Sequence, residues 1–165
     1  MRRTRALLFG VLLALLPSTP AMAAAPEVRA TLDGRPIPVS EIPSHDCNDL
    51  DFPLIRCFTR ALGGDASAVV EIVPLRLATT AGVAYVTVYS ESGFSGSSLV
   101  ISQDYDTLAV VGWNDRISSF KGRNSETGKF NTDWFGSGST WNFCCNQQTG
   151  NLGSYDNTFS SVYRT

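Results

Sequence analysis

"GWNDRISSFKG" (residues 112–122) is the stretch that decides the fold, because the chain writes its core twice. At residues 153–164 the sequence reads "GSYDNTFSSVYR". Asn114-Asp115-x-x-Ser118-Ser119 thus returns, forty-two positions on, as Asp156-Asn157-x-x-Ser160-Ser161. Asn, Asp and Ser close turns by hydrogen-bonding nearby backbone. Each copy then runs into a short apolar segment of strand character. A polar hexapeptide repeated at this spacing marks two copies of one supersecondary unit.

The surrounding texture agrees. From Tyr85 onward helical periodicity is absent. Short runs, "YVTVYS", "SSLVISQ", "ISSFKG", "STWNFCC" and "FSSVYR", are separated by Gly, Ser, Asn and Asp. Strands this short at this spacing predict an all-β sandwich or barrel. The two half-units are read as 85–122 and 128–165, joined by the polar "GRNSETGKFNTDW" (122–134). In the first, Tyr89, Phe94 and Gly96 stand as Y-x-x-x-x-F-x-G, and a Gly after an aromatic in a strand marks a bend with no room for a Cβ. "QDYDTL", containing Tyr105, and then Trp113 and the hexapeptide follow. In the second, Phe130, Trp134 and Gly136 give a version one residue shorter, and no tyrosine precedes the hexapeptide at the matching place.

In this order the motifs closely resemble the βγ-crystallin Greek key, over residues 85–165. The resemblance implies a sandwich of two Greek-key motifs over 83–165, with Phe94 and Gly96 at a folded hairpin and Tyr105 forming a corner. It also implies that the N/D-N/D-x-x-S-S loops bind calcium, each site drawing on both loops. One site would use the Arg116 carbonyl and Ser118 with an acid or amide from Asp156 or Asn157. The other would use the Thr158 carbonyl and Ser160 with one from Asn114 or Asp115. Ca²⁺ takes six to eight oxygens, and carboxylate, amide, hydroxyl and carbonyl oxygens are what these loops offer. Ser119 and Ser161, at the last position, are expected to support the fold. The same residues also suit purely structural turns.

The N-terminal half reads differently. Residues 1–23 combine a basic start, the apolar "ALLFGVLLALLP" and Ala21-Met22-Ala23, the pattern of a cleaved secretory signal. Its loss moves the formal net charge from −2 to −5, because Arg2, Arg3 and Arg5 leave and no acid does. That balance disfavours a nucleic-acid partner. No other apolar run is long enough to span a membrane. The chain is therefore expected to be extracellular, soluble and monomeric. Residues 24–82 are read as a pro-segment or an added strand-helix-strand layer: strands in "VRATL" and "IPVSEI" about the turn "DGRP", a helix over 52–62 from the spacing of Leu54, Ile55, Phe58 and Leu62, and a strand in "AVVEIVPLRLA" (68–78).

Four cysteines, Cys47, Cys57, Cys144 and Cys145, allow three pairings. The ten-residue separation favours Cys47–Cys57, and an exported protein permits the bond. A zinc site lacks the C-x-x-C spacing and the histidines it needs. His45, Asp46, Cys47 and Asp49 read as a polar turn, His45 being the sole histidine and thus the sole candidate base for a nucleophile. No pair of acids stands out for glycoside hydrolysis. Phe94, Trp113, Trp134 and Trp141 are expected in the core rather than as a sugar platform. The expected function is accordingly non-enzymatic calcium binding. The fold also suits an exported metalloproteinase inhibitor or toxin-like protein acting on an extracellular protease, with "GRNSETGKFN" or the Cys47–Cys57 loop as its reactive segment. A cell-surface or carbohydrate-binding module is the third reading.

Overall fold

The computed structural model describes residues 26–60 and 82–165. The signal segment, Leu62 and the strand expected over 68–78 lie outside the described residues.

Eleven strands are described: β1 (Arg29–Leu32), β2 (Arg35–Ile37), β3 (Asp46–Asp51), β4 (Leu54–Phe58), β5 (Val86–Glu91), β6 (Ser95–Ile101), β7 (Ser119–Gly122), β8 (Gly128–Asn131), β9 (Thr140–Phe143), β10 (Gln148–Thr149) and β11 (Ser161–Arg164). They form two sheets, ordered β10-β7-β5-β6-β3-β4-β1-β2 and β11-β8-β9. The helical segments are short 3₁₀ turns. The chain is an all-β sandwich.

Its topology is that of two Greek keys which exchange their third strands. In the first key β5 and β6 form a hairpin and β7 returns beside β5. The chain between β6 and β7 crosses to the opposite sheet, where Tyr105 bridges Val162 of β11. In the second key β8 and β9 form the hairpin and β11 returns beside β8. There β10 crosses the other way and pairs with β7, setting Thr149 opposite Phe120. The second key keeps the crossing strand and carries a threonine where the first has its tyrosine. Strand β8 lies within the stretch read as a polar connection, since Phe130 faces inward.

The aromatics fill the space between the sheets. Phe120, Phe130 and Phe143 meet at ring distances of 5.0–5.3 Å, and Phe159 stacks on Phe130 at 4.9 Å. Trp113 is fully buried beside them. At ~1.5–3 kcal/mol for each large side chain removed from water, this cluster dominates the sandwich.

The N-terminal strands correct the expected strand-helix-strand layer. They do not stack on the sandwich; they lengthen its first sheet edge to edge. Strand β3 runs parallel to β6, pairing Cys47 with Leu99, and β4 and β1 follow. The helix expected over 52–62 is strand β4 in its described part. Leu54, Ile55 and Phe58 have helical spacing, but Ile55 and Cys57 point inward while Arg56 is exposed. That is a period of two, and pairing on both sides satisfies the backbone along it. Similarly, only the start of "IPVSEI" is strand. Val39–Ser44 makes a 3₁₀ turn that buries Ile42 and Pro43. Asp46, Cys47 and Asp49 lie in β3 rather than in a polar turn, and His45 closes the 3₁₀ turn before it.

The Cys47–Cys57 disulfide forms as expected, between residues directly opposite across β3 and β4. Both cysteines are buried, while Asp51 and Arg56 between them are exposed.

Candidate metal centre

The two hexapeptide loops lie against each other. The Asp115 amide donates to the Phe159 carbonyl at 3.0 Å, and the Asn157 amide donates to the Ile117 carbonyl at 3.0 Å. Asp115 and Asn157 share a left-handed backbone, each with φ 54°. Asp and Asn adopt this conformation more readily than other side chains. It turns each side chain toward the opposite loop. Ser118 Oγ donates to Asn157 Oδ1 at 3.2 Å, and Ser160 Oγ donates to Asp115 Oδ1 at 3.1 Å. The geometry therefore selects Asn157 and Asp115 as the residues reaching across. Asn114 and Asp156 stay in their own loops: Asn114 Nδ2 donates to Asp115 Oδ2 at 2.6 Å, and Asn157 Nδ2 to Asp156 Oδ2 at 3.3 Å.

Each loop also carries a backbone carbonyl between these side chains in sequence, that of Arg116 in one and of Thr158 in the other. Among the described residues, no hydrogen bond uses the carbonyl of Arg116 or Thr158. The Arg116 side chain is exposed and makes no ion pair among the described residues. Each cluster thus pairs a hydroxyl with one side-chain oxygen from across the interface, in a loop whose Arg116 or Thr158 carbonyl accepts no hydrogen bond among the described residues. In one cluster that oxygen is an amide; in the other it is a carboxylate. Among the described residues no group of three or more His, Cys, Asp and Glu side chains converges. The donor set is all oxygen and suits a hard cation.

The loops are anchored from behind. Ser119 Oγ donates to the Glu91 carbonyl at 2.6 Å and accepts from the Phe94 amide at 3.1 Å. Ser161 Oγ donates to the Asp133 carbonyl at 2.7 Å and accepts from the Gly136 amide at 3.2 Å. These serines pin the folded hairpins, the supporting role expected of them.

The same bonds correct the reading of the second hairpin. They make Glu91 equivalent to Asp133 and Phe94 equivalent to Gly136, not to Trp134. Gly96, with φ 73°, then corresponds to Gly138, with φ 75°. A Cβ on Gly96 would strike Ser90 Oγ, and one on Gly138 would strike Thr132 Oγ1. The two hairpins are equal in length. "SGSS" (95–98) recurring as "SGST" (137–140) is the sequence signal that carries this register. Phe94 packs edge-on against Tyr89 at 5.8 Å, with Lys121 Nζ 4.7 Å above it. In the second hairpin Gly136 leaves that place to the ring of Tyr163. Trp134 is not core: it is 53% exposed, and Trp141 is half-buried.

Asp49, which the sequence groups with His45 in a polar turn, instead joins the N-terminal strands to the first Greek key. Asp49 of β3 is fully buried. Its carboxylate accepts from the Ser102 amide at 2.6 Å, the Gln103 amide at 3.3 Å and the Tyr105 hydroxyl at 2.9 Å. Burial pushes the carboxyl above its ordinary range, against the pull of those donors. Burial, and then the nearby Asp49 charge, push the Tyr105 phenol up as well. Nearer the loops, a Cβ on Gly112 (φ 74°) would stand 2.8 Å from Pro43 Cγ, so the N-terminal turn sits directly on the start of the first hexapeptide.

No family model matches the chain, and no curated protein matches it. Solved structures do. A βγ-crystallin from Ciona intestinalis is 26% identical with a TM-score of 0.45, over 48% of this chain and 98% of its own. An archaeal βγ-crystallin is 28% identical with a TM-score of 0.45, over 51% of this chain and all of its own. A βγ-crystallin domain from Flavobacterium johnsoniae is 23% identical with a TM-score of 0.43, over 49% and 93% of the two chains.

Proposed function

We propose that this is an exported, non-enzymatic, βγ-crystallin-like protein that binds two calcium ions between its paired loops. The observation that carries the reading is reciprocal. Ser118 meets Asn157 at 3.2 Å while Ser160 meets Asp115 at 3.1 Å. Oxygens that share one Ca²⁺ at its usual bond lengths stand roughly 3 Å apart. The Arg116 carbonyl, Ser118 and Asn157 would hold one ion, and the Thr158 carbonyl, Ser160 and Asp115 the other. Water would supply the remaining ligands. Residues 1–23 are read as the export signal.

The ions would bind the folded form alone and so stabilise it, by about 2.7 kcal/mol at a hundredfold excess over Kd. Calorimetric titration of the protein without residues 1–23 should resolve two sites, and calcium should raise the melting temperature. The Asp115→Ala, Asn157→Ala double variant should lose both effects. Absence of heat and of any melting shift in the unaltered protein would sink the reading. Ligand charge tunes calcium affinity. The Asn157→Asp variant should therefore tighten the weaker site and leave the other nearly unchanged.

A further inference from the structure

The two folded hairpins are equivalent residue by residue, yet they differ at their tips. The first carries Ser92-Gly93 and the second Trp134-Phe135. The Gly93 amide donates to the Gly150 carbonyl at 2.7 Å, and the Phe135 amide to the Asp106 carbonyl at 2.8 Å, so the two tips are held alike. Phe135 adopts the left-handed conformation, φ 54°, where Gly93 has φ 69°. A bulky side chain there is disfavoured. Phe135 is nevertheless 70% exposed and Trp134 53% exposed, so packing does not account for them. Strain and apolar exposure at one place point to a contact made there.

The indole is hydrogen-bonded to the first loop. Trp134 Nε1 donates to Asn114 Oδ1 at 3.0 Å, which fixes the ring plane while leaving its surface open. Beside it lies an open cleft of about 550 Å³, whose walls include Asn114, Asp115, Thr132, Asp133, Ser137 and Ser160. An oriented aromatic face borders an array of hydroxyl, amide and carboxylate groups, and among the described residues no basic side chain lines the cleft.

That chemistry selects the occupant. A specific protein interface covers about 800 Å² on each partner. Two partly exposed rings, at roughly 150–250 Å² each when fully buried, are too small for one. Asp115 and Asp133 repel anionic lipid headgroups and phosphates. We propose that the Trp134 hairpin is a binding site for neutral saccharide. The C–H face of one sugar ring stacks on Trp134, Phe135 covers its neighbour along the chain, and the hydroxyls bond to Asp133, Thr132 and Asn114. The cleft shares Asp115 and Ser160 with one of the two loop clusters, whereas the indole and Asp133 lie outside both, so the two readings are separated by testing with and without calcium.

Affinity electrophoresis tests it. The protein without residues 1–23 is run through gels containing soluble starch, β-1,3-glucan, galactomannan, xylan or glycol chitin, each in calcium and in EDTA. The expected result is retardation by at least one polymer, weakened about tenfold in Trp134→Ala and less in Phe135→Ala, with Ser92→Ala at the equivalent tip unchanged. All three positions are exposed, and an unchanged melting temperature in each variant keeps the comparison fair. Retardation that survives EDTA separates this site from calcium binding. Failure to be slowed by any of the five polymers would overturn the proposal. So would retardation that Trp134→Ala leaves intact. Trp134-dependent binding to phosphatidylcholine vesicles, or a Trp134-dependent dimer, without saccharide binding would equally overturn it.

Discussion

Asp49 lies buried among three donors that all belong to the first Greek key. Its carboxyl is held above the ordinary range, chiefly by burial. A raised acid contributes stability that is complete below its unfolded pKa, near 4, and lost as pH rises through the folded value. Denaturant titrations across that interval should show the unaltered protein losing stability toward higher pH. Asp49→Asn should remove this slope, whereas Asp49→Ala should leave the donors unpaired and cost about 1–3 kcal/mol at every pH. A slope unchanged in Asp49→Asn would refute the assignment. Nothing in "CNDLD" distinguishes Asp49 from Asp51, which is exposed and pairs with Arg56. The difference arises only because β3 docks against β6. By contrast, the loop residues were legible, because the repeat itself ties residues 114–119 to residues 156–161. The sequence left open which member of each polar pair reaches across, and the left-handed φ of Asp115 and Asn157 decides it.

The folded hairpins depend on glycines that no other residue replaces. Gly138→Ala would combine a left-handed backbone with a Cβ driven into Thr132 Oγ1 and Asp133. The cost should reach about 1–3 kcal/mol, seen as a fall in melting temperature. An alanine tolerated there would mean that the two hairpins are not equivalent. The first hairpin was legible from Tyr89, Phe94 and Gly96. The second was displaced, because Phe130 and Trp134 attract the eye while Asn131 and Gly136 occupy the matching places. Aromatics at the wrong positions outweighed a four-residue repeat of Ser and Gly. The helix read over 52–62 failed, in its described part, for a related reason. Five residues fit either period, and a strand partner on each side settled the matter.

At the scale of the whole molecule, the N-terminal strands belong to the sandwich. Asp46 accepts two hydrogen bonds from Arg60 and one from Ser98, each at 2.8 Å, and Arg60 also donates to the Gly96 carbonyl. Removing residues 1–81 would strip β3 from β6 and bare an edge whose N–H and C=O groups seek partners. The shortened chain should melt lower and self-associate on size exclusion. A monomer of unchanged stability would show that the first four strands are dispensable. The exchange of third strands sets a different rule for the two keys. Each sheet is completed by backbone from the other key, through Tyr105 on one side and β10 on the other. Neither key is therefore a finished unit, and long-range closure must precede any stable core. A nick in the connection between them would leave a split protein, two complementary fragments that hold one another by strand donation and that fold together or not at all.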